Sequence, residues 1–111
     1  MKQHSSQFLK LVSQAKTHIK EISPQTLKTL LDNRTPVTLI DVREADELST
    51  GQIPTAIHMS KGIIERDIEK LITDPKTAIV VYCSGGFRCA LVAQTLQQMG
   101  YSNVSSLDTG L

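Results

Sequence analysis

Apolar positions along the chain follow two periods, one typical of strands and the other of helices. Val37 to Asp41 and Ala78 to Val81 are short runs rich in β-branched residues, which predicts two buried strands. Ile19 to Ile22, Ala56 to Met59 and Asn103 to Leu107 are shorter or more polar runs, and each predicts a further strand. Together these segments predict a central sheet of about four to five strands.

Between the predicted strands, apolar residues recur every three or four positions, as on one face of an amphipathic helix. This spacing covers 7–17, a segment opening at Ser23-Pro24, a short stretch at about 44–50, 63–72 and 89–99. Ser23 is a predicted N-cap, and Gly51 and Gly100 are placed to end the helices before them. Strands that alternate with helices predict one α/β domain, with a parallel sheet covered by helices on both faces.

Length and composition are those of a single globular domain. The chain has 111 residues, of which 40% are hydrophobic and 21% charged, and neither value is typical of disorder. We expect residues 1–17 to form an N-terminal helical extension and residues 18–111 to form the domain itself. A formal net charge of +1 lacks the basic excess of a nucleic-acid-binding surface.

The chain shows neither a signal-peptide core nor a membrane-spanning run. Met1 to Lys20 has no unbroken apolar stretch, and no apolar run approaches the ~20 residues that cross a bilayer. We therefore expect a cytoplasmic protein with no membrane partner. In a reducing compartment, Cys83 and Cys89 are not expected to form a structural disulfide.

The chemistry of the chain is concentrated in the loop from Tyr82 to Cys89, between a predicted strand and a predicted helix. Cys83 opens this loop, so it lies beside the positive end of a helix dipole, with Arg88 nearby. A free thiol with a pKa of about 8.5 is only ~3% ionised at pH 7, and lowering that pKa by ~2 units takes roughly 2.7 kcal/mol. A helix N-terminus contributes up to ~2 kcal/mol, and we expect amide hydrogen bonds to the sulfur and the charge of Arg88 to contribute the rest. Cys83 is therefore predicted to be a reactive thiolate.

The rest of the loop is suited to holding an anion beside that sulfur. Gly85 and Gly86 permit positive φ angles, which let successive N–H groups converge on one point. We predict a cradle made of Ser84, Gly85, Gly86, Phe87 and Arg88. Cysteine phosphatases place one more residue between cysteine and arginine, so this ring is tighter and favours a smaller guest, such as one sulfur atom. A phosphatase or arsenate reductase stays an alternative that loop length disfavours.

Three stretches of the chain resemble the rhodanese family of thiosulfate-type sulfurtransferases. Cys83-Ser84-Gly85-Gly86-Phe87-Arg88-Cys89 is similar to the active loop of that family. Leu39 to Glu44, followed by Gly51 to Met59, resembles its upstream signature, and Gly100 to Asp108 its closing strand. The likeness covers about residues 18–110, with the motifs in the family's order. The resemblance implies a rhodanese-like domain.

The resemblance also implies a double-displacement reaction. Cys83 would take a sulfane sulfur from a small anionic donor, thiosulfate or a persulfide, hold it as a persulfide, and pass it to cyanide or a thiol. The amides of the loop would stabilise the outer sulfur, Arg88 would attract the donor, and Asp41 and Arg43 would brace the loop. The family implies no metal and no organic cofactor. The alternative is a non-enzymatic persulfide carrier that delivers sulfur to a protein acceptor.

The chain departs from the family pattern at a few positions. Gln52 and Thr55 replace a frequent histidine and a frequent glycine, and we expect no effect on the chemistry. Cys89 stands where serine or alanine is usual, on a helical face with Val92, Ala93 and Leu96, which predicts a packing role. The alternative is a resolving thiol that discharges the Cys83 persulfide.

Several further residues need only a short interpretation. His58, at the end of a short strand, is predicted to be a structural histidine, and Lys61 is an alternative source of positive charge for drawing in anions. No role is assigned to His4 or His18. The chain ends at Leu111, earlier than family members usually do, and we expect an uncovered apolar edge that favours self-association or low stability.

Overall fold

A parallel five-stranded sheet forms the centre of the protein in the computed structural model, which describes residues 4–110. In chain order the strands are β1 (Lys20–Ile22), β2 (Thr38–Asp41), β3 (Ile57–His58), β4 (Ile79–Tyr82) and β5 (Val104–Leu107). Their order across the sheet is β1-β5-β4-β2-β3, and every neighbouring pair is parallel. The predicted α/β fold is confirmed. The first three residues of the predicted segment 1–17 and the last residue of the predicted segment 18–111 lie outside the described range.

One α-helix precedes the first strand, and three α-helices and one 3-10 helix connect the strands. The α-helices are α1 (Ser6–Lys16), α2 (Pro24–Asp32), α3 (Ile64–Leu71) and α4 (Arg88–Gln98). The segment Ala45–Thr50, for which the spacing predicts an ordinary short helix, is instead a 3-10 helix. Glu44 and Glu47 form a reciprocal capping box across its first turn. A piece this short gains little from α-helical hydrogen bonds, so the tighter 3-10 turn is a common outcome.

The apolar side chains form two layers, one on each face of the sheet. One layer joins β2 and β4 to α3 and α4 through Ile40, Val81, Ile68 and Leu96. The opposite layer packs Leu39, Val80, Tyr82 and Leu107 beneath Leu27 of α2. Neighbouring strand residues therefore point to opposite layers, which explains why β2 and β4 read as continuous apolar runs.

Helix α1 packs against α4 and is part of the same globule. Its Val12 and Ala15 side chains are buried, whereas Leu9 and Leu11, at the edges of the same apolar stripe, are exposed. The division of the chain at residues 17 and 18 stays a prediction. Within residues 4–110, no helix has both the length and the apolar character that a membrane crossing needs.

The carboxyl ends of the parallel strands meet at one edge of the sheet. Asp41 at the end of β2 is in register with Tyr82 at the end of β4 and with His58 at the end of β3. Cys83 follows Tyr82 directly. In open α/β sheets, ligands bind outside this edge, so the fold places the cysteine loop where a site is expected.

Candidate active site

The Cys83 sulfur lies at the floor of the loop and accepts backbone hydrogen bonds. The N–H of Gly86 donates to Cys83 Sγ at 3.2 Å, and the N–H of Cys89 donates to it at 3.4 Å. Gly86 has a φ of +84°, the positive angle that the loop needs to turn its amide inward. The N–H groups in the first turn of α4 need acceptors, and the N-cap residue Phe87 provides no side-chain acceptor. Cys83 Sγ accepts one of these N–H groups instead, that of Cys89.

The sulfur is more deeply buried than a freely reactive thiol. Only 1% of Cys83 is exposed, while Ser84 and Gly85 beside it are exposed at the surface. Cys83 nevertheless lines a cleft of about 640 Å³ that Ser84, Gly85, Phe87 and Arg88 also line. A reactant must therefore enter this cleft to reach the sulfur.

Hydrogen bonds to Cys83 favour its thiolate form. The Sγ atoms of Cys83 and Cys89 are 3.5 Å apart. Since Cys83 Sγ accepts two backbone N–H groups, the negative charge of the pair belongs on Cys83, and the Cys89 thiol is then the donor. That thiol, together with the N–H groups of Cys89, Gly85 and Gly86, outweighs burial and lowers the pKa of Cys83 to about 5. The hydrogen bond to the Cys83 thiolate, followed by burial, raises the pKa of Cys89.

Cys89 lies on the core side of that sulfur, against β5. It is fully buried, together with the predicted packing partners Val92, Ala93 and Leu96. The Ser106 hydroxyl donates to Cys89 Sγ at 3.1 Å, and Cys89 Sγ is 3.6 Å from the Leu107 carbonyl oxygen. Sequence reasoning missed Ser106, and its only signal is a pair of serines inside an otherwise apolar predicted strand.

Arg88 is held by a carboxylate from another part of the chain. Its Nη1 and Nη2 atoms donate to the two oxygens of Glu47 at 2.7 and 2.8 Å, and Nη2 also donates to Ser84 Oγ at 3.1 Å. The guanidinium of Arg88 holds the pKa of Glu47 down to about 2. Glu47 thus balances the positive charge of Arg88. The resemblance implies that this charge attracts the anionic donor, and that role of Arg88 stays a prediction.

The Asp41–Arg43 ion pair lies beneath the 3-10 helix and is buried, not exposed at the rim. Asp41 is 0% and Arg43 2% exposed, and their closest atoms, Oδ2 and Nη2, are 2.7 Å apart. Burial acts to raise the pKa of Asp41, but the hydrogen bonds from Arg43 outweigh it and lower that pKa. Arg43 also donates to the carbonyl oxygens of Glu47 at 3.3 Å and Gly51 at 2.7 Å. The pair therefore holds the segment that carries Glu47, and Glu47 holds Arg88.

The walls of the cleft differ in chemistry. Glu44, Asp46 and Glu47 supply carboxylates, whereas an aromatic wall is formed by His4, Phe8 and Phe87. The ring centroids of His4 and Phe87 are 4.7 Å apart, and those of Phe8 and Phe87 are 6.3 Å apart. The N-terminal residues thus line the site, although the sequence assigned no role to His4.

Other predicted residues lie away from the sulfur. His58 Nε2 is 2.8 Å from the carbonyl oxygen of Arg43, an arrangement typical of a structural histidine. Lys61 and His18 are exposed, and neither lines the cleft. Within residues 4–110, no group of three or more His, Cys, Asp or Glu side chains is placed to hold a metal ion.

The chain after β5 packs against the back of the loop. A Cβ on Gly110 would lie 2.6 Å from the Cys83 carbonyl oxygen, and one on Gly86 would lie 3.1 Å from the Asp108 carbonyl oxygen. These contacts leave no room for larger residues, so both glycines keep the loop in place. Sequence reasoning missed Gly110, whose signal is its position at the end of the turn that follows the closing strand, three residues after Leu107.

Comparisons with known proteins agree with this geometry. The model of the rhodanese-like domain family matches residues 23–111. Among curated proteins, "Putative sulfurtransferase YtwF" from Bacillus subtilis (strain 168) is 36% identical over 87 residues, covering 78% of this chain and 82% of that protein. Other relatives are named as a sulfur carrier protein or as tRNA uridine(34) hydroxylases, so relatedness alone does not define the acceptor.

Solved structures show the same fold over nearly the whole chain. The polysulfide-sulfur transferase homodimer from Wolinella succinogenes superposes with a TM-score of 0.76 at 32% identity, covering 95% of this chain and 79% of that one. A protein from Rhodopseudomonas palustris CGA009, described as a possible tyrosine phosphatase, superposes with a TM-score of 0.86 at 25% identity, covering 99% of this chain and 90% of that one.

Proposed function

The chain belongs to the rhodanese-like domain family, a family that includes sulfurtransferases, and from this premise we propose that it moves sulfane sulfur through a persulfide on Cys83. The observation that carries the proposal is the position of Cys83 Sγ, which accepts N–H groups from Gly86 and Cys89 at the floor of an open cleft. These donors favour a thiolate, which is the nucleophilic form of cysteine.

The proposed reaction has two displacements. In the first, the Cys83 thiolate attacks the outer sulfur of thiosulfate, the sulfur–sulfur bond of the donor breaks, and sulfite leaves with the bonding electron pair. In the second, cyanide or a thiolate attacks the outer sulfur of the persulfide, and Cys83 leaves again as a thiolate. The N–H groups of the loop are placed to stabilise the negative charge on the sulfur during each step.

The charge of the cleft bears on the choice of donor. Glu44, Asp46 and Glu47 line it, and among the described residues that line it Arg88 is the only lysine or arginine. Thiosulfate is a dianion, so these carboxylates oppose its entry. We therefore expect thiosulfate to load Cys83 and a persulfide carried by a small thiol to load it faster.

The test is intact-mass measurement after incubation with thiosulfate, followed by addition of cyanide. We expect the wild-type protein to gain the mass of one sulfur atom and then to form thiocyanate, whereas Cys83→Ser gains nothing. Equal sulfur uptake by Cys83→Ser would contradict the proposal, as would a wild-type protein that takes up no sulfur from either thiosulfate or a small-thiol persulfide.

Two alternatives are separated by the same preparation. A persulfide carrier would load Cys83 yet transfer its sulfur to neither cyanide nor small thiols. A phosphatase, the activity suggested for the Rhodopseudomonas palustris protein, would release phosphate from an aryl phosphate in a Cys83-dependent reaction. We expect no phosphate release, because four residues separate Cys83 from Arg88 and the resulting ring is tight for a tetrahedral oxyanion.

The proposed cellular setting follows from the thiol chemistry. Cys83 and Cys89 are both free cysteines although their sulfur atoms are close together. Such a pair stays reduced in a reducing compartment, and we propose the cytoplasm.

A further inference from the structure

The structure brings a second thiol to the back of the reactive sulfur. Cys89 Sγ lies 3.5 Å from Cys83 Sγ, and both side chains are shielded from solvent, with 0% and 1% of the residues exposed. Building on the proposed function, we propose that Cys89 is a resolving thiol, which discharges the Cys83 persulfide inside the protein and releases hydrosulfide. The protein would then have a second outcome for bound sulfur, besides transfer to an acceptor.

The direction of attack follows from what surrounds the two sulfur atoms. Cys83 lines the cleft, whereas Cys89 contacts Ser106 and Leu107 of β5 on the core side. A sulfur atom added to Cys83 therefore extends toward the cleft, because Cys89 occupies the opposite side. Attack by Cys89 therefore comes from the core side of Cys83 Sγ, away from the outer sulfur, which is the side that thiol–disulfide exchange requires.

The step balances without an external oxidant. Cys89 gives up its thiol proton as its sulfur attacks Cys83 Sγ, so a bond forms between the two Sγ atoms and the bond to the outer sulfur breaks. The outer sulfur leaves with the electron pair and takes up one proton, equal to the one that Cys89 loses, and so departs as hydrosulfide. The Cys89 sulfur is oxidised and the outer sulfur is reduced, so the products are a Cys83–Cys89 disulfide and sulfide. A small dithiol, acting as reductant, returns the pair to two thiols for another turnover.

The surroundings of Cys89 restrict this attack to the loaded protein. While Cys83 is a thiolate, its negative charge keeps the proton on Cys89. Persulfide formation moves that charge outward to the added sulfur, and the Ser106 hydroxyl, 3.1 Å from Cys89 Sγ, stabilises the emerging Cys89 thiolate. A position in the first turn of α4 acts in the same direction.

The required movement is small. Sulfur atoms are about 2 Å apart in a disulfide, so the two Sγ atoms must approach by roughly 1.5 Å. Gly85 lies between the two cysteines in sequence, and a Cβ there would meet only the Phe87 ring, at 3.4 Å, so this part of the loop has room to adjust.

The experiment follows sulfur loading under anaerobic conditions and without added thiols, with thiosulfate or a polysulfide as the probe. We expect the wild-type protein to gain the mass of one sulfur atom and then to lose it, ending as a disulfide with an equimolar amount of sulfide in solution. Trypsin cleaves after Arg88, so Cys83 and Cys89 fall in different peptides that stay together only when a disulfide joins them. Recovery of that linked peptide pair identifies the bond.

Variants separate this inference from the function on which it rests. Cys89→Ser is expected to load and to keep its added sulfur, with no sulfide released, and Cys89→Ala serves as a second variant if the serine protein does not fold. Ser106→Ala should slow sulfide release about tenfold, as expected for the loss of about 1.4 kcal/mol of hydrogen bonding. Ser105→Ala, on the opposite face of the same strand, is the matched control and should release sulfide at the wild-type rate.

Two results would overturn the inference while leaving the proposed function intact. One is a wild-type protein that holds its added sulfur without releasing sulfide, and the other is a Cys89→Ser protein that releases sulfide at the wild-type rate. If the wild-type protein takes up no sulfur from thiosulfate, a polysulfide or a small-thiol persulfide, the proposed function fails, and this inference fails with it.

Discussion

Two arginines hold the 3-10 helix Ala45–Thr50 from opposite sides, and they do so in different ways. Arg43 lies beneath the segment, 2% exposed, paired with Asp41 and bonded to the carbonyl oxygens of Glu47 and Gly51. Arg88 reaches the segment from the cysteine loop, and its side chain is 28% exposed in a pair with the Glu47 carboxylate. Arg43 binds two backbone oxygens and the Thr50 hydroxyl of this region from the core, where Asp41 balances its charge, whereas Arg88 binds a single side chain of the region at the cleft.

This difference separates a contact that positions the 3-10 helix from a contact that sets the charge of the cleft. The contacts of Arg43 with backbone oxygens do not depend on which side chains the segment carries, so they position it whatever its sequence. The contact of Arg88 depends on a single carboxylate, which can be changed without emptying the core. We therefore expect substitutions beneath the segment to act on stability and substitutions above it to act on donor choice.

The largest expected effect comes from breaking the buried pair. Asp41→Asn leaves the Arg43 guanidinium buried without a counter-ion, and we expect it to lower the free energy of unfolding by about 3–5 kcal/mol. Urea denaturation followed by circular dichroism measures this loss. Asp32→Asn, which removes the exposed ion pair with Lys28, is the matched control and should leave the free energy of unfolding almost unchanged. Similar losses in the two variants would contradict the comparison.

Breaking the Glu47–Arg88 pair at the cleft should have a smaller effect on stability and a measurable effect on kcat/KM for the sulfur donor. We expect Glu47→Gln to lower the free energy of unfolding by about 1 kcal/mol, because the pair is partly solvated. It also removes a negative charge beside Arg88, so kcat/KM for thiosulfate should rise several-fold. A fall in kcat/KM would instead show that Glu47 is needed to position Arg88.

The contribution of the Glu47–Arg88 pair to stability should depend on pH. The pKa of Glu47 is lowered to about 2 from an ordinary value of 4.5, so its contribution is present above pH 4.5 and is lost as pH falls toward 2. The difference in unfolding free energy between wild type and Glu47→Gln should therefore shrink over that range. Chemical denaturation at a series of pH values gives the difference curve, and a constant difference down to pH 2 would contradict the assignment.

A smaller effect is expected at Asp46, an exposed carboxylate of the cleft. Asp46→Asn should raise kcat/KM for thiosulfate by about twofold, less than the several-fold gain at Glu47, and leave stability unchanged. Glu65→Gln, on the exposed side of α3, is the control for a charge removed elsewhere. The gain at Asp46 should diminish in high salt, and an equal gain in the control would show an effect of net charge alone.

The fold was largely predictable because its signals are local. β-branched runs with intervening helical periods predict the strands and helices to within a few residues, and Ser23 with Pro24 predicts the start of α2, where Ser23 Oγ accepts the N–H of Thr26. The exception is Ala45–Thr50, whose spacing suits either helix type. There, Arg43 draws backbone carbonyl oxygens toward the core, a contact that periodicity does not reveal.

The candidate site was predictable only where its residues are neighbours in sequence. Cys83 to Cys89 form one loop, so their chemistry can be inferred from residue types and spacing. Glu47, which holds Arg88, is 41 positions away from it, and Ser106, which contacts Cys89, is 17 positions away. Neither partner has a sequence signal that connects it to the loop.

Local residue types predicted the succession of strands and helices along the chain, the thiol at the end of β4 and the glycines that turn the loop, because these depend on backbone preferences and hydrophobic period over short distances. The assembled fold set the surroundings of that thiol. It buried the Cys83 sulfur, placed Cys89 behind it and balanced Arg88 with Glu47. Hydrogen bonds and ion pairs depend on distances of a few ångströms, and these distances exist only after the sheet and its connections have assembled.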